Sequence, residues 1–371
     1  MARLAGLYVH IPFCSVKCFY CDFAAVAHHG HLAWRYLDAL EREAALKPAL
    51  KPATLYVGGG TPSELSAEQI ESLYERLARV AAARDLIEST FEASPESLTR
   101  EKLEALRRRG ATRLSLGLQT ADEGLLRAVG RRHGLRRFVE AYRAARALGG
   151  LAISVDLMYN LPGQSVRSCL DSLDFVLALE PDHLSLYGLQ VEDRTLFGRR
   201  AVVADEDAGR EMFERSLERL AAAGFEHYEI SNFARPGRQS LHNRIYWEGG
   251  DYLGLGCGAA SFLGGWRGAN RDRLMDYLKE VEAGRDPVAE RERLAGKEKL
   301  GEAFLLGLRL VGGFRPTGEM RAAFAPELDS LRRQGLIADA EDAVALTREG
   351  VFLGNRVFRE FVPPFASAGA P

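Results

Sequence analysis

Long apolar runs are missing from this chain. The N-terminal stretch 4–11 is too short to span a membrane, carries His10, and lacks the small-residue cleavage site of a secretion signal. A cytoplasmic protein is therefore expected. An excess of either charge is missing too: 49 Lys and Arg face 51 Asp and Glu, a formal net charge of −2. With no overall attraction to phosphate backbones or anionic lipid, nucleic acid is not an expected partner. There is no internal repeat and no low-complexity tract. Cysteine is scarce: there are five, and three of them fall within eight residues. An odd number so clustered argues against a disulfide framework and for metal in a reducing compartment.

What is present is a globular composition, 47% hydrophobic and 27% charged over 371 residues. That length allows one large core with a smaller appendage. Runs at 6–10, 54–58, 86–93, 113–117, 153–158 and 183–189 read as strands. Between them apolar residues recur at helical spacing, as in Val166, Leu170, Leu173 and Leu177. Such alternation predicts an α/β fold with a parallel sheet, either an open doubly wound sheet or a partial barrel, and in both the ligands sit at the C-terminal strand ends. A helix is expected over 206–223 and a short extended run over 227–230. The Gly-, Asn- and aromatic-rich stretch 236–271 reads as an elaborate loop. The chain thus divides into a core at 1–235, a loop and connecting segment at 236–295, and a small helical, winged-helix-like unit at 296–371 with a frayed tail from 363.

Cys14-x-x-x-Cys18-x-x-Cys21 follows the first strand directly, and Pro12 opposes a helix through it. Three thiolates can hold three irons of a 4Fe-4S cube and leave the fourth open to a small molecule. A structural zinc would need a fourth ligand, which His28, His29 or His31 could supply, and Cys18 with Cys21 could form a redox pair. Gly58, Gly59 and Gly60 follow the second strand and would let backbone approach a ligand closely. Asp156 is a charge inside an apolar run, costly unless paired. Cys169 and Cys257 read as packed thiols.

The run from Tyr8 through Pro12, Cys14, Cys18, Tyr20, Cys21 and Phe23 resembles the radical S-adenosylmethionine (SAM) family that includes the oxygen-independent coproporphyrinogen III oxidase HemN and the heme chaperone HemW. The resemblance extends over nearly all the chain. It implies a partial (β/α)6 radical SAM barrel, a 4Fe-4S cluster on Cys14, Cys18 and Cys21, and SAM on the open iron. It also implies a SAM pocket lined by Tyr8, Tyr20, Gly59, Gly60, Thr61, Glu92, Gln119, Arg131, Asp156 and Gln190, with Arg131 suited to the carboxylate.

Two departures from the oxidase favour the chaperone branch. Phe23 stands where the oxidase has a further cysteine, and only 13 residues precede Cys14 where the oxidase carries an extension. The chaperone's His-Asn-x-x-Tyr-Trp is matched by His242, Asn243, Tyr246 and Trp247, which makes His242 a candidate heme ligand beside aromatic walls. The implied function is to bind heme and deliver it to apoproteins such as respiratory cytochromes, membrane enzymes among them; the alternative is oxidative decarboxylation of coproporphyrinogen III. Whether the chain acts as an enzyme, and whether it pairs as a homodimer, the sequence leaves open. Asn160 stands where the family commonly has glycine, and Ala260 where relatives usually have histidine.

Overall fold

The computed structural model describes residues 4–80 and 85–365. All six expected strands form: β1 (Gly6–Ile11), β4 (Thr54–Gly59), β5 (Glu88–Ala93), β6 (Arg113–Gln119), β7 (Ala152–Tyr159) and β8 (His183–Gly188). They lie side by side in that order, each parallel to the next. Two-residue strands β2 (Phe13–Cys14) and β3 (Val26–Ala27) pair with each other and close the base of the cysteine loop. Every residue of β6 is buried, as expected of a parallel strand covered on both faces. The covering helices start at side-chain caps: Thr99 accepts from the Lys102 amide, Ser165 from Ser168 and Asp205 from Ala208. This is the partial (β/α)6 barrel.

Beyond β8, β9 (Glu226–Glu229) and β10 (Asn232–Ala234) finish one edge of the sheet, β10 running antiparallel to β8. The other edge corrects the expected loop at 236–271. That stretch holds a helix, Leu241–Trp247, and strands β11 (Tyr252–Leu255), β12 (Ala260–Leu263) and β13 (Trp266–Asn270), continued by β14 (Val288–Arg293). β11 pairs in parallel with β1, and the rest add antiparallel strands to give a sheet of twelve. The glycines are the punctuation between short strands: Gly249, Gly256, Gly258, Gly264 and Gly265 all take positive φ.

The C-terminal unit builds its own core on Phe304, Phe324 and Phe361, with the hairpin β15 (Ile337–Ala340) and β16 (Ala343–Leu346) as the wing. Most of the expected frayed tail lies outside the described residues. No helix among the described residues is long and apolar enough to cross a membrane. Asn160, in the position of a family glycine, sits at φ +61°, a left-handed conformation that asparagine tolerates better than most residues.

Candidate cofactor site

The cysteine loop sits over the C-terminal ends of the barrel strands. Cys14, Cys18 and Cys21 are free, half-buried, and line a single cavity of about 350 Å³. Burial pushes the Cys14 thiol up to about 11, against a 3.4 Å contact with the Thr61 hydroxyl, and burial raises Cys21 as well. Thiols so placed are stabilised as thiolates by a metal rather than by the protein. Gly60 is required by close approach: a Cβ there would stand 2.9 Å from the Phe13 carbonyl oxygen and 3.1 Å from Cys14 Sγ. At Gly59, φ is +111° and a Cβ would strike the His10 ring.

Four strands supply the opposite wall. Glu92 of β5 accepts from the Tyr56 hydroxyl at 2.7 Å and from the Gly59 amide at 3.1 Å. Burial, with Asp156 adding repulsion, nevertheless raises its pKa to about 7. Asp156 of β7 is also raised by burial, and it accepts from the Ser115 hydroxyl at 3.1 Å, so the charge that looked costly in sequence has a partner. Gln119 lies at the end of β6 rather than after it, beyond a register shift, and holds φ at +77°. A strained glutamine at a strand end is a mark of a functional site. Arg131 donates to the Tyr20 hydroxyl at 3.2 Å while its Nε has no partner. Burial disfavours its cation, but Tyr20, Cys18 and Glu96 outweigh that and hold the pKa above the ordinary arginine value.

Two expected members stand elsewhere. Gln190 is exposed two residues past the end of β8 and does not line the cavity, because the strand stops at Gly188. Tyr8 lines a neighbouring cavity, where its hydroxyl meets His10 Nδ1 at 3.0 Å. His10 Nε2 donates to the Ala24 carbonyl at 2.9 Å, so Nδ1 accepts from Tyr8 and the ring ties the cysteine loop to β1. Residues that sequence reasoning missed include Glu96, whose pKa falls to about 2 because the bonds from His133 and Ser94 outweigh its burial, and Tyr187 of β8. Glu96 follows the Pro95 break at the end of β5, which was its only signal.

The neighbouring cavity is larger, about 880 Å³, and shares Lys17 and Phe23 with the first. Tyr8, Tyr246, Trp247, Tyr252 and Phe262 give it aromatic walls, and Ala260 offers it only a methyl group. His242 does not reach it. The ring is 1% exposed; Nδ1 lies 2.7 Å from the Thr54 hydroxyl and Nε2 2.7 Å from that of Tyr246, and burial lowers its pKa to about 3. With both nitrogens engaged it presents no lone pair to an iron, which corrects the expectation of a heme ligand there. His29 is likewise spent on the Ala27 carbonyl and stacks on His31 in an exposed loop. Cys169 and Cys257 are buried, Cys257 donating to the Asp272 carbonyl, as expected of packed thiols.

The donor set suits the implied cofactors. Three thiols on one cavity wall can hold three irons. The partnerless Arg131 Nε and the Glu92 and Asp156 carboxylates are suited to the charged ends and hydroxyls of SAM.

Comparison with known proteins agrees. Residues 8–176 match the model of the radical SAM superfamily. The chain is 36% identical to the heme chaperone HemW of Bacillus subtilis, covering 97% of this chain and 99% of that one. It is 34% identical to the heme chaperone HemW of Escherichia coli, covering 96% and 98%. Among solved structures, the Escherichia coli radical SAM enzyme coproporphyrinogen III oxidase (HemN) superposes with a TM-score of 0.85 at 25% identity, over 97% of this chain and 90% of that one. On full-length similarity, and on a cysteine loop placed over the strand ends of a partial barrel, the chain belongs to the HemW family of radical SAM proteins.

Proposed function

We propose that the chain binds heme and delivers it to heme-requiring apoproteins, respiratory membrane enzymes among them, while carrying a 4Fe-4S cluster on Cys14, Cys18 and Cys21 and SAM beside it. The supporting observation is the 880 Å³ aromatic cavity next to the cysteine loop, of a size to bury a large planar ligand. Its rings give a tetrapyrrole stacking surfaces, and Lys17, Arg194 and Arg267 at its wall face the charge of carboxylate side arms. The smaller cavity serves SAM, with Arg131 on its carboxylate and Glu92 and Asp156 on its remaining polar groups. When bound, cluster and SAM supply one-electron reductive chemistry; the chain's own part is to orient SAM and exclude water. In the larger cavity, Phe23 and Lys17 form a wall common to both ligands.

The HemN-like fold keeps a second reading in view, decarboxylation of coproporphyrinogen III. Phe23, 59% exposed where the oxidase has cysteine, weighs against it. The test is anaerobic cluster reconstitution, heme titration in the Soret region, and an assay on coproporphyrinogen III with SAM and reductant. Tight heme binding without decarboxylation is expected; formation of protoporphyrinogen would overturn the carrier.

A further inference from the structure

Three cations line the larger cavity, and they are not equivalent. Lys17 donates to the Phe23 carbonyl within its own loop at 2.9 Å. Arg194 pairs with Asp22 at 2.9 Å, but its side chain is 67% exposed and water screens it. Arg267 of β13 is held between two carboxylates on different elements: Glu292 of β14 at 3.4 Å, and Glu302 of the helix Gly296–Gly307, the first of the C-terminal unit. Glu302 is only 15% exposed, and Leu306, one turn further along that helix, lines the same cavity. Arg267 is also close enough to Tyr252 to offset part of the burial that raises that phenol's pKa.

We infer that Arg267 is the carboxylate-recognition residue of the larger cavity, and that a ligand carboxylate displaces Glu302 from it and so frees the helix Gly296–Gly307 from the sheet. This rests on the heme reading above. One carboxylate replacing another leaves the guanidinium satisfied, so the exchange turns on what becomes of Glu302. A largely buried carboxylate that loses its cation must be hydrated, and that requires the helix to shift. A planar ligand with free carboxylates would thereby both seat itself and loosen one wall of its cavity.

Full-length, cluster-reconstituted protein would be titrated with hemin and with hemin dimethyl ester, which has the same ring and iron but no free carboxylate. Wild type should prefer hemin by about threefold, less than the roughly tenfold scale of one charge-assisted pair because the ligand carboxylate replaces one already there. Arg267→Gln should weaken hemin and leave the ester unchanged, so the preference disappears, and Arg267→Lys should retain part of it. Glu302→Gln should tighten hemin about threefold without affecting the ester. Amide hydrogen exchange in 296–307 should accelerate with hemin and not with the ester. Binding of hemin and ester with equal affinity, or a preference that survives Arg267→Gln, would overturn the assignment and leave the heme reading standing. If neither compound bound the wild type, the heme reading itself would fall, and this assignment with it.

Discussion

The cysteine pocket and the surroundings of His242 are both built of buried polar groups, yet they end in opposite states. The His242 ring and the start of its helix are satisfied: Thr54 and Tyr246 take the two ring nitrogens, and Glu88 accepts from the Ser240 hydroxyl and from the Leu241 and His242 amides. In the pocket, Arg131 Nε has no partner, Gln119 is held at φ +77°, and burial raises the Cys14 and Cys21 thiols. A buried polar group lacking its partner costs free energy, so Arg131 Nε, beside a strained Gln119, marks a place completed by something else. A network closed upon itself marks structure. By that criterion the family motif around His242 holds the fold, while its last two residues, Tyr246 and Trp247, face the larger cavity.

The sharpest way to break this contrast is at the thiols. Replacing any one of Cys14, Cys18 or Cys21 by serine should abolish cluster reconstitution, read as acid-labile sulfide and visible absorption. Global stability should change by less than about 1 kcal/mol, since the thiols make few protein contacts. Zinc retained in place of iron and sulfide would instead return the structural-metal alternative. Next in size is Arg131→Ala. In cluster-loaded protein it should weaken SAM about ten- to hundredfold by calorimetry, the scale of a lost bidentate charge pair. An unchanged affinity would remove Arg131 from the site.

His242→Ala probes the other side of the comparison. It strands the Thr54 and Tyr246 hydroxyls and should cost about 1–3 kcal/mol in urea unfolding. Heme affinity, by contrast, should change less than about twofold, because the ring does not enter the cavity. A collapse of heme binding with intact stability would restore His242 as a ligand and refute the distinction drawn here.

How far the sequence carried follows the same division. The parallel barrel was legible because its short β-rich runs are separated by helical periodicity, and all six strands end within two residues of expectation. The largest difference is at β6, which runs on to Gln119 through a register shift that no local pattern announces. The region 236–271 was misread because glycine spacing signals turns equally well in a loop and between four-residue strands; the pairing that decides, β11 against β1, joins Gly6 to Tyr252, far beyond any local pattern. Cysteine spacing located the pocket. Glu96, Tyr187 and the second role of Phe23 depend on how strand ends and the loop aim their side chains, and Gln190 was misplaced by the two residues separating it from the end of β8.

The smallest effect concerns Glu92, where pocket and fold compete within one residue. Its carboxylate accepts two hydrogen bonds that favour the anion, yet burial and Asp156 prevail and raise the pKa from 4.5 to about 7. The folded state therefore keeps a proton that the unfolded chain releases, so stability falls as pH rises from about 4.5 to about 7. Glu229, buried beside Asn232 and also raised to about 7, contributes a decline in the same window. Glu92→Gln should therefore reduce, but not abolish, the slope of the urea midpoint against pH between those limits, and the double variant with Glu229→Gln should flatten it further. If Glu92→Gln left the slope unchanged, Glu92 would be ionised throughout the window. The pocket would then hold two buried carboxylate anions repelling each other, a stronger demand for a cationic ligand than the geometry now implies.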